Sequence, residues 1–167
     1  SGGEPLLQDR FVARVLRGAR ELGVHTALDT NGFLGERLSD AELADVDLVL
    51  LDLKAGGEGT HRRLTGQSLA PVHAFARRLA RLRRPTWVRY VLVPGVTDVP
   101  AEIARTASFA ATLGNVERVE VLPFHQLGRE KWRRLGLPYA LETVASPDAA
   151  AVAKARATFA AHGLNAA

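Results

Sequence analysis

Residues that could bind a charged ligand recur in this sequence beside short apolar runs. Five segments carry them: Gly2-Gly3-Glu4, Asp29-Thr30-Asn31, Asp52-Leu53-Lys54, Arg89-Tyr90 and His125. Carboxylates can bind an ammonium group or a metal ion, and lysine and arginine can bind a carboxylate. If the five segments meet, they predict a site for a polar, zwitterionic ligand.

Each segment taken alone also has a structural interpretation. Glycines before a helix usually serve as turn residues. Asp29 could accept hydrogen bonds from turn amides, Lys54 could extend along the surface to water, and a single histidine such as His125 is more often structural than catalytic. Arg89 differs, because a charged residue inside an apolar strand needs a partner. The combination of segments therefore carries the prediction.

Alternating strand and helix patterns provide the elements that would position these residues. Strands are predicted at 24–29, 47–53, 86–93 and 116–122. Helices are predicted at 9–22, 58–65, 69–83, 100–113, 127–135 and 147–162, with a further short helix from Ser39 whose capping box would include Glu42. This order predicts one α/β domain over residues 1–167, with a parallel sheet covered by helices. Right-handed crossovers bring the carboxyl ends of all strands to one edge, where chemistry is concentrated.

Composition narrows the classes of partner. The net charge is +4, and the basic residues are scattered over predicted helices without interleaved aromatic residues. This pattern favours a solvated helix face, ahead of docking on an acidic protein and of nucleic-acid binding. The apolar runs are too short for a membrane helix and no secretory signal is recognisable, so we expect a cytoplasmic protein without membrane or nucleic-acid partners.

Five stretches resemble, in order and spacing, a known enzyme family. They are SGGEP, HTALDTNGF, DLVLLDLK, WVRYVLVPGVTD and GNVERVEVLPFHQLGREKW. The sequence is similar to radical S-adenosylmethionine enzymes and, within them, to the activases of glycyl radical enzymes, most closely those of pyruvate formate-lyase. The likeness runs from Ser1 to about Gly163. It implies a partial (β/α) barrel built on a parallel sheet, here lacking its first strands.

The resemblance also implies roles for the residues around the methionine end of S-adenosylmethionine. The turn Gly2-Gly3-Glu4 matches the family's GGE motif, which receives the methionine amino group. Asp29 and Thr30, with Asp52 and the backbone of Leu51, match residues that surround a monovalent cation beside the methionine carboxylate. Asp29 and Asp52 are counted among the cofactor contacts as well.

Further along the chain, the resemblance implies contacts to the rest of the cofactor. Lys54 and Arg89 match residues near the methionine carboxylate and the ribose. Val91, Leu122 and His125 match positions around the adenosine. No catalytic residue is assigned, since the cofactor carries the chemistry and the protein orients it.

One departure from the family is large. The activases hold a 4Fe–4S cluster on the cysteines of a CxxxCxxC loop, whereas this sequence contains no cysteine. We therefore expect the chain to be the C-terminal two-thirds of an activase and to be inactive alone. For the whole enzyme, the resemblance implies formation of a glycyl radical on pyruvate formate-lyase, with a flavodoxin or ferredoxin as electron donor.

Two alternatives stay open at this point. The first is a different radical S-adenosylmethionine enzyme, acting on a small molecule or on another glycyl radical enzyme. An upstream ferredoxin-like insert with extra cysteines would point to an activase of another glycyl radical enzyme. The second is a non-catalytic α/β fragment or binding scaffold. The stretch LPFHQLGREKW favours the activase over the first alternative, whereas the absence of cysteine keeps the second open.

Overall fold

Four apolar runs form parallel strands of a single sheet. The computed structural model describes residues 3–167, so Gly2, predicted to bind the methionine amine, lies outside the described residues. The strands are β1 Ala27–Thr30, β2 Leu48–Asp52, β3 Thr86–Leu92 and β4 Val116–Pro123. They lie in the order β1-β2-β3-β4, and each neighbouring pair is parallel. The predicted α/β fold with a parallel sheet is confirmed.

Helices connect the strands close to the predicted positions. They are α1 Asp9–Glu21, α2 Asp40–Leu43, α3 Glu58–Thr65, α4 Ala70–Arg81, α5 Pro100–Ala111, α6 Arg129–Arg134 and α7 Ala149–Ala161. Short 3-10 helices span Pro5–Gln8, Gly35–Arg37 and Gln126–Gly128. The capping box predicted at Ser39 is present, since its side chain and that of Glu42 each accept the other's backbone N–H. No helix within residues 3–167 is long and apolar enough to cross a membrane.

The start of β1 differs from the prediction for a local reason. Residues 24–26 were predicted as strand, but the end of α1 uses part of this segment. Gly23 adopts φ +71°, and the backbone N–H of Val24 donates to Ala19 O at 2.9 Å. This satisfies a helix carbonyl that would otherwise lack a partner. The strand therefore begins at Ala27.

Side chains on one face of the sheet pack into the hydrophobic core. Its buried side chains are Leu28, Val49, Leu51, Val88, Tyr90, Leu92, Val119 and Val121. Apolar residues of α4, α5 and α7, including Leu79, Ile103 and Phe159, belong to the same cluster. Because side chains alternate along a strand, the intervening residues point to the opposite face.

The opposite face carries most of the predicted strand-end site residues. Its side chains form lateral rows, because paired residues of parallel strands lie side by side: Asp29, Leu50 and Trp87; Asp52, Arg89 and Glu120; Val91 and Leu122. These side chains are half-buried or exposed. The other face of the sheet, opposite the packed core, is accessible and carries both charged and apolar side chains; we call it the open face.

Candidate functional site

Six predicted cofactor residues line one cleft at the carboxyl ends of β1 and β2. The cleft has a volume of about 690 Å³. The six are Gly3, Glu4, Asp29, Asp52, Lys54 and Arg89, and Thr30 also contributes to the lining. Residues separated by up to 86 positions in the sequence are therefore brought together, as the parallel fold requires.

Glu4 attaches the N-terminal turn to the end of β1. Its Oε1 accepts hydrogen bonds from the Thr30 hydroxyl at 2.6 Å and from the Leu6 N–H at 3.1 Å. Its Oε2 accepts from the Asn31 N–H at 2.9 Å. Thr30 is 2% exposed, so this carboxylate is held on the packed side of the strand end. The sequence pointed to both segments, but their direct contact was not foreseen.

Arg89 has the partner that a charged residue in a strand requires. Its NH1 lies 2.6 Å from Oδ2 of Asp29, although register places Asp52 and Glu120 beside it. The side chain therefore crosses β2 to reach Asp29 on β1. The Arg89 side chain is 27% exposed and that of Asp29 is 57% exposed, so the pair is accessible to solvent and to a ligand.

A second ion pair lies at the end of β2. Lys54 Nζ is 2.8 Å from Oδ2 of Asp52. The two pairs place two cations and two carboxylates in the lining of the same cleft. A ligand that carries both an ammonium and a carboxylate group can find opposite charges for each of them here.

The cleft has an apolar wall as well. It is formed by Phe11, Val12, Val15 and Leu16 of α1 with Leu28 of β1. Phe11, Val12, Val15 and Leu16 lie at helical spacing in the sequence, but Phe11 is 58% and Val15 is 51% exposed. These two side chains face the cleft and contribute little to the buried core, a distinction that periodicity alone does not make.

The residues predicted around the adenosine lie outside this cleft. Val91 and Leu122 are register partners on the open face, one row beyond Arg89. His125 is exposed, and its Nδ1 accepts a hydrogen bond from the Leu127 N–H at 3.4 Å. Their contact with adenosine stays a prediction.

The residues predicted to surround a monovalent cation divide between the two faces. Asp29 and Asp52 lie on the open face and are paired with Arg89 and Lys54. Thr30 and Leu51 are buried on the packed face, where the Thr30 hydroxyl donates to Glu4. Over residues 3–167, no group of three or more His, Asp or Glu side chains could hold a metal ion. The cation, which would also need hydroxyl and carbonyl oxygens, stays a prediction.

A smaller cleft of about 360 Å³ adjoins the first and shares Glu4, Asn31 and Lys54 with it. Its lining includes His61 of α3, which is 3% exposed. Burial lowers the pKa of His61, and its buried Nδ1 has no hydrogen-bond partner among the described residues. Neither the contact between Glu4 and Asn31 nor the place of His61 beside the cleft was predicted from the sequence.

Two curated proteins are similar to this chain over most of its length. The pyruvate formate-lyase-activating enzyme of Staphylococcus epidermidis is 42% identical over 161 residues, which make up 93% of this chain and 64% of the relative. The enzyme of the same name from Staphylococcus aureus is 42% identical over 158 residues, or 91% of this chain and 63% of the relative. The chain thus spans slightly less than two thirds of the length of these curated relatives.

Solved structures share the fold. A domain of pyruvate-formate lyase-activating enzyme from Bacteroides vulgatus superposes with a TM-score of 0.81 at 24% identity, covering 100% of this chain and 94% of that domain. A radical SAM methyltransferase from Sphaerobacter thermophilus gives a TM-score of 0.71 at 20% identity, covering 99% of this chain and 48% of the methyltransferase. The family model of the radical SAM superfamily matches residues 1–110, which is more than half of the sequence. The chain belongs to the radical SAM superfamily.

Proposed function

We propose that the chain is the C-terminal part of an enzyme that activates pyruvate formate-lyase by generating a glycyl radical on it. Its cleft would hold the methionine end of S-adenosylmethionine. The observation that carries the proposal is the convergence of Glu4, Asp29, Asp52, Lys54 and Arg89 on one cleft. Relatives at 42% identity that bear this activity in their names support it.

The charges of the cleft suit the methionine end of the cofactor. Lys54 and Arg89 are the cations that would meet its carboxylate, and Asp29 and Asp52 would bind a monovalent cation beside that carboxylate. The Glu4 carboxylate already accepts three hydrogen bonds from the protein. Its role would therefore be to hold the Gly3-Glu4 turn, whose backbone carbonyls would accept from the ammonium group.

The open face continues from this cleft toward the proposed adenosine site. Val91 and Leu122 are adjacent apolar residues in the next row after Arg89 and would flank the nucleoside. His125 follows two residues after β4 and would approach the base from the strand end. When bound, S-adenosylmethionine supplies the radical chemistry that removes a hydrogen atom from glycine Cα. The chain's residues bind it and fix its orientation.

The residues present do not fit a 4Fe–4S cluster. Such a cluster needs thiolate ligands, and the 167 residues include no cysteine. We propose that the remaining part of the enzyme supplies these ligands and receives electrons from a flavodoxin or ferredoxin. The proposal also includes a cytoplasmic location, a monovalent cation near Asp29 and Asp52, and the absence of nucleic-acid or membrane partners.

Asp52→Asn tests the proposed function. The substitution keeps the shape of the side chain and removes the charge that Lys54 pairs with. In the whole enzyme, reconstituted with its cluster and mixed with pyruvate formate-lyase, we expect at least a tenfold slower rise of the glycyl radical signal in electron paramagnetic resonance. A tenfold change corresponds to about 1.4 kcal/mol.

The matched control is Asp40→Asn, which removes an exposed carboxylate paired with Arg78 and Arg81 on the outer surface. It should activate the partner at the rate of the unchanged enzyme. Absence of a glycyl radical with the unchanged enzyme would contradict the proposed activity. Equal rates for the two variants would contradict the assignment of Asp52.

A further inference from the structure

The loop that follows Lys54 is held by one buried carboxylate of α5. Glu102 is 5% exposed, and its Oε2 accepts hydrogen bonds from Gly56 N–H at 3.1 Å and Gly57 N–H at 3.0 Å. Its Oε1 accepts from Arg105 at 2.8 Å. Gly57 is the N-cap residue of α3, so the carboxylate also lies at the positive end of that helix dipole.

The same loop packs directly against α5. A Cβ atom added to Gly56 would lie 2.6 Å from the Glu102 carbonyl oxygen and 2.7 Å from Arg105 Cβ. Only glycine allows the two backbones to approach this closely. Gly59, at the start of α3, has nothing within 4 Å of such an atom. Within this segment the close contact is therefore at Gly56, two residues after Lys54, and not at Gly59.

Lys54 is consequently fixed from both sides along the chain. Before it, Leu53 N–H donates to Arg89 O at 3.0 Å and extends the sheet. After it, Ala55 is 1% exposed and leads into the two amides bound by Glu102. We infer that Glu102 is a positioning residue that clamps Gly56 and Gly57 onto α5 and thereby directs Lys54 toward the carboxylate of the ligand. The inference rests on the proposed function.

Two ligands and three variants test it. S-Adenosylmethionine carries the carboxylate that Lys54 would bind, whereas 5′-methylthioadenosine lacks the whole amino-acid end. Isothermal titration calorimetry measures both affinities for the unchanged chain, Glu102→Gln, Gly56→Ala and the control Gly59→Ala. We expect the first two variants to bind S-adenosylmethionine about fivefold or more weakly. Their affinity for 5′-methylthioadenosine should stay within about twofold of the unchanged chain, and Gly59→Ala should resemble it with both ligands.

A purely structural role would weaken both ligands equally, and that result would overturn the inference. It is also overturned if Glu102→Gln and Gly56→Ala bind S-adenosylmethionine as tightly as Gly59→Ala does. If the unchanged chain binds neither ligand, the proposed cofactor site fails. In that case, hydrogen exchange of the Gly56 and Gly57 amides, measured by NMR, tests whether Glu102 holds the loop. Faster exchange in Glu102→Gln than in the unchanged chain supports the contact, and unchanged exchange overturns it.

Discussion

Replacing Arg89 with alanine should affect ligand binding far more than stability. The pair with Asp29 is short, at 2.6 Å, but the Asp29 side chain is 57% exposed and Arg89 is 27% exposed. Solvent screens such a pair, and exposed ion pairs contribute about 0–1 kcal/mol. We therefore expect Arg89→Ala to lower the free energy of unfolding by no more than about 1 kcal/mol.

The expected loss of affinity is larger because, among residues 3–167, Lys54 and Arg89 are the two cations that line a cleft with Glu4, Asp29 and Asp52. Without Arg89, the ligand carboxylate would meet these carboxylates with Lys54 as the remaining cation of the lining. Truncating one partner of a buried charge pair costs about 2–5 kcal/mol. Because Arg89 retains some exposure, we expect a value near the lower limit. About 2 kcal/mol corresponds to roughly thirtyfold weaker binding.

Arg81→Ala is the matched control. Arg81 is also an arginine in an exposed ion pair, 3.2 Å from Asp40, but it lies on α4 and does not line the cleft. Titration calorimetry with S-adenosylmethionine and urea unfolding should be run on both variants and on the unchanged chain. If Arg89→Ala binds the ligand as tightly as Arg81→Ala, the assigned charge contacts are wrong even though the fold stands.

Two further predictions concern stability. Thr30→Val removes the buried hydroxyl that donates to the Glu4 carboxylate and should lower the free energy of unfolding, measured in urea titrations, by about 1–3 kcal/mol. An unchanged free energy of unfolding would show that the hydrogen bond between Thr30 and Glu4 does not contribute to stability. Burial, with the nearby Arg77 charge, lowers the pKa of His73 from 6.5 to about 4. The unfolded chain therefore takes up a proton below about pH 6.5 that the folded chain takes up only near pH 4, so stability should fall as the pH decreases through this window. His73→Phe, which preserves stacking on Phe109, should reduce the decrease in the free energy of unfolding between pH 7 and pH 4.5 by about 1–2 kcal/mol. Equal decreases in the unchanged chain and in His73→Phe would refute this assignment.

Local patterns were sufficient to predict most of the fold. The nearly unbroken apolar run DLVLLDL predicted a buried strand, and β2 forms there. The parallel arrangement then followed from the alternation of elements. The beginning of β1 was misplaced because a helix cap at Gly23 and Val24 competes for the same residues.

Pairing across the site could not be predicted in the same way. Because Arg89 is a charged residue in an apolar strand, the sequence indicated that it has a partner. The partner, Asp29, is 60 residues away, and the contact depends on the order of the strands and on an arginine side chain long enough to cross β2. Glu102 carried even less signal, since an acidic residue in the first turn of a helix usually faces solvent and interacts with the helix dipole. Its burial depends on how the loop after β2 packs against α5, which local sequence does not specify.

Because side chains alternate between the two faces of a strand, neighbouring residues of each predicted motif have different roles. Asp29, Asp52 and Arg89 lie on the open face, while their neighbours Thr30, Leu51 and Tyr90 are buried. The buried members hold the strand ends: Thr30 fixes Glu4, and the Tyr90 hydroxyl donates to Thr97 O at 2.6 Å at the end of β3. A slip of one residue in any strand would exchange the two sets. The positions of the charged side chains in the cleft therefore depend on the packing of the apolar core on the other face of the sheet. Substitutions in that core should reorient these charged side chains, although the substituted residues do not contact the ligand.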